Sequence, residues 1–182
     1  MGILLAFAPF IVFVILERVL GPTAGLVAAA LTSALLIGKD LIVGRKPKVL
    51  EAGTLILFAG LALYTAIVHP NWSVIAVRLR VDAGLLLVVV ASMALKRPFT
   101  LQYAREQVAS EFWSNPAFVR TNYVITSVWA LAFALMVAAE AAILYVPSVP
   151  QKVGIWTAIL AIYGAFRFTL DYPKRRQAAA SI

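Results

Sequence analysis

The chain has no cysteine and one histidine, His69, among 182 residues. The first absence excludes disulfides, thiolate metal sites, iron–sulfur clusters and cysteine nucleophiles; the second excludes a His-rich metal site and bis-His haem ligation within one chain. Charge is also scarce. Asp, Glu, Lys and Arg make up 13% of the sequence, about half the share of a soluble domain. Catalytic patterns are missing too: there is no His-Glu-x-x-His, no Gly-x-x-x-x-Gly-Lys loop and no Gly-x-Ser-x-Gly elbow. A serine nucleophile at membrane depth would need a paired His or Lys, which the sequence does not supply. No catalytic residue, metal ligand or cofactor is therefore assigned, and a non-enzymatic protein is expected.

What is present is apolar. Hydrophobic residues are 63% of the chain and mean hydropathy is +0.93, which excludes a water-soluble globular domain. The net charge of +8 would suggest nucleic acid in a soluble protein, but in a membrane protein it reports which loops face the cytoplasm, and no nucleic-acid partner is expected. Runs of the length that crosses about 30 Å of hydrocarbon lie at 3–20, 22–38, 52–68, 124–146 and 153–170. The apolar part of a sixth, 83–95, covers only about 20 Å at 1.5 Å per residue. It spans only if the helix begins near Ser73, which brings Arg78, Arg80 and Asp82 into its first turns.

The fold expected is all-α: one transmembrane domain, 1–182, with six spans at 3–20, 22–38, 52–68, 73–95, 124–146 and 153–170. Five spans is the alternative. With both termini cytoplasmic, twelve Lys and Arg fall inside and only Arg18, Arg78, Arg80 and Lys152 fall outside, out of 16. The first run has no basic residue before it and Glu17-Arg18 where a cleavage site would stand, so it reads as a retained span. Trp72, Trp113 and Trp156 read as interfacial anchors, and His69 as a solvated loop residue.

Two inner connections carry further expectations. In the loop 39–50, the basic residues Lys39, Arg45, Lys46 and Lys48 read as topogenic charge, with anionic lipid headgroups as the alternative partner. In the second, Leu101, Ala104, Val108 and Phe112 recur at helical spacing, with Gln102, Arg105, Glu106 and Glu111 on the other face. That spacing predicts an amphipathic interfacial helix over about 100–114, started by Pro98 and Thr100 and ended by Asn115-Pro116. Small residues at every fourth position, Gly25, Ala29 and Ser33 in the second span and Ala130, Ala134, Ala138 and Ala142 in the fifth, predict close helix contacts, either within the bundle or between copies.

Ionisable groups within spans need a partner, water or a function, because each costs at least about 2.5–3.5 kcal/mol near the bilayer centre. Glu17, Arg18, Arg78, Arg80, Asp82 and Glu140 come from three spans at similar expected depth, near span ends. Arg78 and Asp82, four apart, should pair on one helix face, leaving Arg80 for Glu140 or Glu17. The cluster is either a set of structural ion pairs or the lining of an outward-facing site for an anion, a lipid headgroup or a proton.

The order of these segments resembles the intracellular septation protein A family of bacterial inner-membrane proteins. The resembling pieces are Ala8-Pro9-Phe10-Ile11-Val12-Phe13, Phe58-Ala59-Gly60-Leu61-Ala62-Leu63, Lys96-Arg97-Pro98, and Asn122 with Trp129-Ala130-Leu131-Ala132-Phe133. Departures are Arg78-Leu79-Arg80-Val81-Asp82 at the start of the fourth span and a longer inner connection at 100–118. The resemblance implies an interaction or scaffold role in cell-envelope maintenance or division, exercised in the bilayer through other membrane proteins or a second copy. A small transporter or channel subunit with an outward-facing charged site is the first alternative, and an accessory subunit of a larger membrane complex the second.

Overall fold

A computed structural model describes the backbone of residues 5–180 and the side chains as far as Arg176; the start of the first expected span, residues 3 and 4, lies outside the described residues. Among the described residues the secondary structure is entirely helical. The helices are α1 (Ala8–Leu20), α2 (Pro22–Ile42), α3 (Val49–Val68), α4 (Val74–Ala94), the short α5 (Phe99–Arg105), α6 (Pro116–Tyr145) and α7 (Lys152–Ala180), with a 3-10 turn at Ser110–Phe112. Four of them, Pro22–Ile42, Val49–Val68, Pro116–Tyr145 and Lys152–Arg176, are long and apolar enough to cross a membrane. The two left out differ in kind: α1 is 13 residues long, and α4 has the length at 21 but carries Arg78, Arg80 and Asp82.

The chain divides into two compact units, Met1–Val88 and Val89–Ile182, with the boundary inside α4. In the first, α1 and α2 are joined by Gly21 alone, whose φ of 90° is in the left-handed region that favours glycine. Its amide donates to the Glu17 carbonyl and closes α1. Each helix buries one stripe at three- and four-residue spacing: Pro9, Phe13 and Glu17 on α1; Gly25, Ala29 and Ser33 on α2; Thr54, Phe58, Ala62 and Thr65 on α3. The Phe13 and Phe58 rings meet at 5.7 Å. The small-residue stripe expected on α2 is thus a buried seam.

A Cβ on Gly53 would overlap the Val88 side chain, and one on Gly84 would overlap Leu57. These two contacts set α3 and α4 antiparallel in close approach, with a register that puts Asp82 level with Ala59, the midpoint of α3.

In the second unit the sequence-based boundaries need correction. The fifth span was expected from Val124, but α6 begins at Pro116 because Asn115 caps it, its side chain accepting from the Ala117 amide at 2.9 Å. Asn115-Pro116 starts a helix rather than ending one. The helix expected over 100–114 stops at Arg105 after seven residues. There the Trp113 indole N–H is shared between the carbonyls of Arg105 and Val108, at 3.2 and 3.3 Å, groups a continuing helix would bond to its own amides. Phe99, Thr100, Leu101 and Tyr103 of α5 are buried, so the helix belongs to the core of its unit.

Ala130, Ala134 and Ala142 are half-buried and Ala138 is exposed, so the alanine stripe is not a buried seam within this chain, and the alternative of a contact between copies stays open. α6 buries its bulky face instead: Asn122, Ile125, Thr126, Trp129, Ala132, Phe133 and Met136. Trp129 sits between Phe99 and Phe133 at ring distances of 6.4 and 6.1 Å and donates its N–H to Thr169 of α7 at 3.0 Å. Large aromatic surfaces gain more dispersion contact than alanines, and that decides which face turns inward.

Candidate functional site

Charge inside the first unit is concentrated at two places. At one end, Lys48 ties the end of α2 to the start of α3. It is 7% exposed, its Nζ lies 2.7 Å from Asp40 and 3.3 Å from Glu51, and its amide donates to Glu51 at 3.3 Å. Lys48 is therefore withdrawn from the basic loop; Lys39, Arg45 and Lys46 stay at the surface.

The second place joins α1 and α4. Glu17 continues the Pro9–Phe13 stripe and so points into the unit, where it is 3% exposed. Gly25 makes room for it: a Cβ there would stand 3.0–3.1 Å from the Glu17 amide nitrogen, the Glu17 Cβ and the Phe13 carbonyl. The Arg78 guanidinium reaches Glu17 Oε1 through both Nε and Nη2, a pair bridging positions 61 apart in sequence. Glu17 Oε2 is buried and accepts no hydrogen bond. Asp82, one helical turn beyond Arg78, is also 3% exposed.

The expected cluster is thus divided. Glu17, Arg78 and Asp82 come together, but Arg78 pairs across to Glu17 instead of down its own helix to Asp82. The i to i+4 spacing allowed the local pair, but the two carboxylates are equally buried and the guanidinium goes to the one on the neighbouring helix. Arg80 does not meet Glu17. Its guanidinium lies 3.9 Å above the Trp72 ring, donates to the Ala76 carbonyl at 2.6 Å, and Trp72 in turn stacks on Tyr64 at 5.1 Å. Arg18 is exposed. Glu140 belongs to the other unit, where it continues the face of Trp129, Phe133 and Met136.

α4 begins at Val74, one residue from the start expected for the fourth span. Asp82 lies eight residues into α4, about 12 Å from its start at 1.5 Å per residue, and level with the middle of α3. It is not at a helix end. The inward position of Glu17 was readable from its four-residue spacing behind Phe13 and Pro9; Gly25 opposite it had no signal beyond its place in the small-residue stripe.

Chemically, the site holds two buried carboxylates and one partly exposed guanidinium. With all three ionised it carries one surplus negative charge. Among the described residues no group of three or more His, Cys, Asp or Glu is placed to hold a metal ion. Compared with protein-family models, with curated proteins and with solved structures, the chain matches none of them, so its own residues carry whatever is concluded about its function.

Proposed function

We propose that the chain is a six-span protein of the bacterial inner membrane with both termini cytoplasmic, and that it works as a small ion transporter or channel subunit. Buried, surplus charge at mid-helix is the observation that carries this reading. Intramembrane ionisable groups are costly, and a purely structural pair would be balanced and fully hydrogen-bonded. Here Glu17 Oε2 lacks a donor and Asp82 adds a second carboxylate beside one arginine.

Two features support the fourth span. α4 is about 31 Å long at 1.5 Å per residue, and its buried stripe of Val77, Val81, Leu85, Val89 and Ser92 runs through Asp82, so its acidic group faces protein instead of lipid. The 12 to 4 distribution of Lys and Arg supports the orientation. Exposed Phe112 and Trp113 support an interfacial position for the segment after α5.

In proteoliposomes of the full chain, monovalent-ion flux should exceed that of empty vesicles and fall at least about tenfold in D82N. Flux equal to that of empty vesicles ends this reading. Tags at the two chain ends should be accessible from the same side, and opposite accessibility would remove the sixth span.

A second reading, an interaction or scaffold component of the cell envelope of the kind the septation-family resemblance implies, is favoured by α7. Of its residues 152–176, Ala165 alone is buried, and Gly164 faces open space. Close helix contact in lipid uses such small, open positions. A stoichiometric membrane-protein partner retained in mild detergent, and lost on Gly164→Leu, would establish it.

A further inference from the structure

We infer that the Glu17–Arg78–Asp82 cluster is a proton-binding site: one proton, taken from water, is held on the carboxylate pair, with Arg78 as the fixed counter-charge. The inference rests on the transport reading above and names its substrate.

The geometry limits what the cluster can take. An anion is excluded by the two carboxylates. Arg78 already occupies Glu17 Oε1 with both its Nε and its Nη2, leaving Oε2 as the buried oxygen with no donor. Asp82 approaches from α4 at a depth where the Gly53 and Gly84 contacts bring α3 and α4 into close packing. Two buried carboxylates, one paired with Arg78 and one a helical turn along from it, cannot both stay ionised cheaply beside a single guanidinium, and one proton is the smallest species that removes the surplus charge. In the step, an O–H bond forms on one carboxylate oxygen as a hydronium ion gives up its proton to leave water, and the site goes from one net negative charge to neutral.

The other charged groups on the packed elements stand apart from this reaction. On α1, Arg18 is exposed. On α4, Arg80 is held over Trp72. Lys39 and Asp40 of α2 are more than a dozen residues beyond Gly25, and Glu51 of α3 is at the far end of its helix, paired with Lys48. His69, which ends α3, is exposed.

Infrared difference spectra of the full chain in lipid vesicles, taken between acidic and alkaline buffer, test this directly. The expected result is a carbonyl-stretch band of a protonated carboxyl, shifted in heavy water, that is lost in D82N or E17Q and retained in D171N, whose target is a surface carboxylate paired with Arg167. A wild-type spectrum with no such band overturns the inference without need of any variant. So does a band that persists in both D82N and E17Q, or one abolished by sodium at constant pH, which would mark a metal-cation site. Flux that depends on Asp82 with no carboxyl band would sink the proton site and leave the transport reading standing. A band without flux would do the reverse.

Discussion

The two units bury different things. The first packs small residues and charge: Gly25, Ala29 and Ala62 let helices approach, and Glu17 and Asp82 sit in the space between. The second packs aromatic rings and neutral polar groups. Thr100 Oγ1 meets the Asn122 carbonyl at 2.9 Å and Thr126 Oγ1 at 2.7 Å, Asn122 Nδ2 donates to the Phe118 carbonyl at 2.9 Å, and Ser92 accepts the Phe99 amide at 3.2 Å. Every one of these groups has a partner. A satisfied neutral network fixes a fold at little cost, whereas a charge cluster with an orphan oxygen stores an unmet demand. The second unit is not wholly satisfied, since Arg105 Nε is buried without a hydrogen bond, but its orphan group stands apart from this neutral network, whereas that of the first unit lies within its ion pair.

The contrast can be broken most forcefully at Arg78. R78L leaves two buried carboxylates without their cation and should cost about 3–5 kcal/mol, read as thermal unfolding in detergent. A loss under about 1 kcal/mol would mean that the cluster is hydrated and the units are alike. Next comes packing in the first unit: G84L drives a side chain into Leu57 and should cost about 1–3 kcal/mol while prising α4 from α3. Flux should fall with it; full flux in a destabilised G84L would show that the α3–α4 approach does not position Asp82.

In the second unit, W129F keeps most of the ring packing but deletes the donor to Thr169, for about 1 kcal/mol and no change in flux. A change in flux would extend the functional region beyond the first unit. Smallest is N115A, which removes the α6 cap for about 0.5–1 kcal/mol; an unchanged melting temperature would show that Pro116 alone sets the start of α6.

Much of the helical order was legible because apolar run length and the absence of interrupting polar clusters are local properties. So was the α2 seam, since spacing of small residues survives any choice of partner. The misplaced features share a cause. Arg78 was matched to Asp82 because both lie on one helix, while its partner, Glu17, comes from sixty-one positions away. Within the chain, the buried face of α6 is that of Trp129 and Phe133 because burial goes to the face that finds neighbours, and Phe99 supplies one from α5. The helix over 100–114 had the right periodicity but met a competitor for its carbonyls in Trp113. The depth of Asp82 followed only from the Gly53 and Gly84 contacts, which no single segment contains.

The long sequence gap between Glu17 and Arg78 also orders events at the ribosome. At roughly 5–20 residues per second, the arginine is made several seconds after its carboxylate. During that interval the α1–α2 hairpin, bent at Gly21, must wait in the translocon or bilayer with Glu17 uncompensated. Pairing of Arg78 of α4 with Glu17 is then the event that locks the nascent first unit, so slowing translation between the third and fourth helices should lengthen the time for which the newborn chain is open to quality-control proteases.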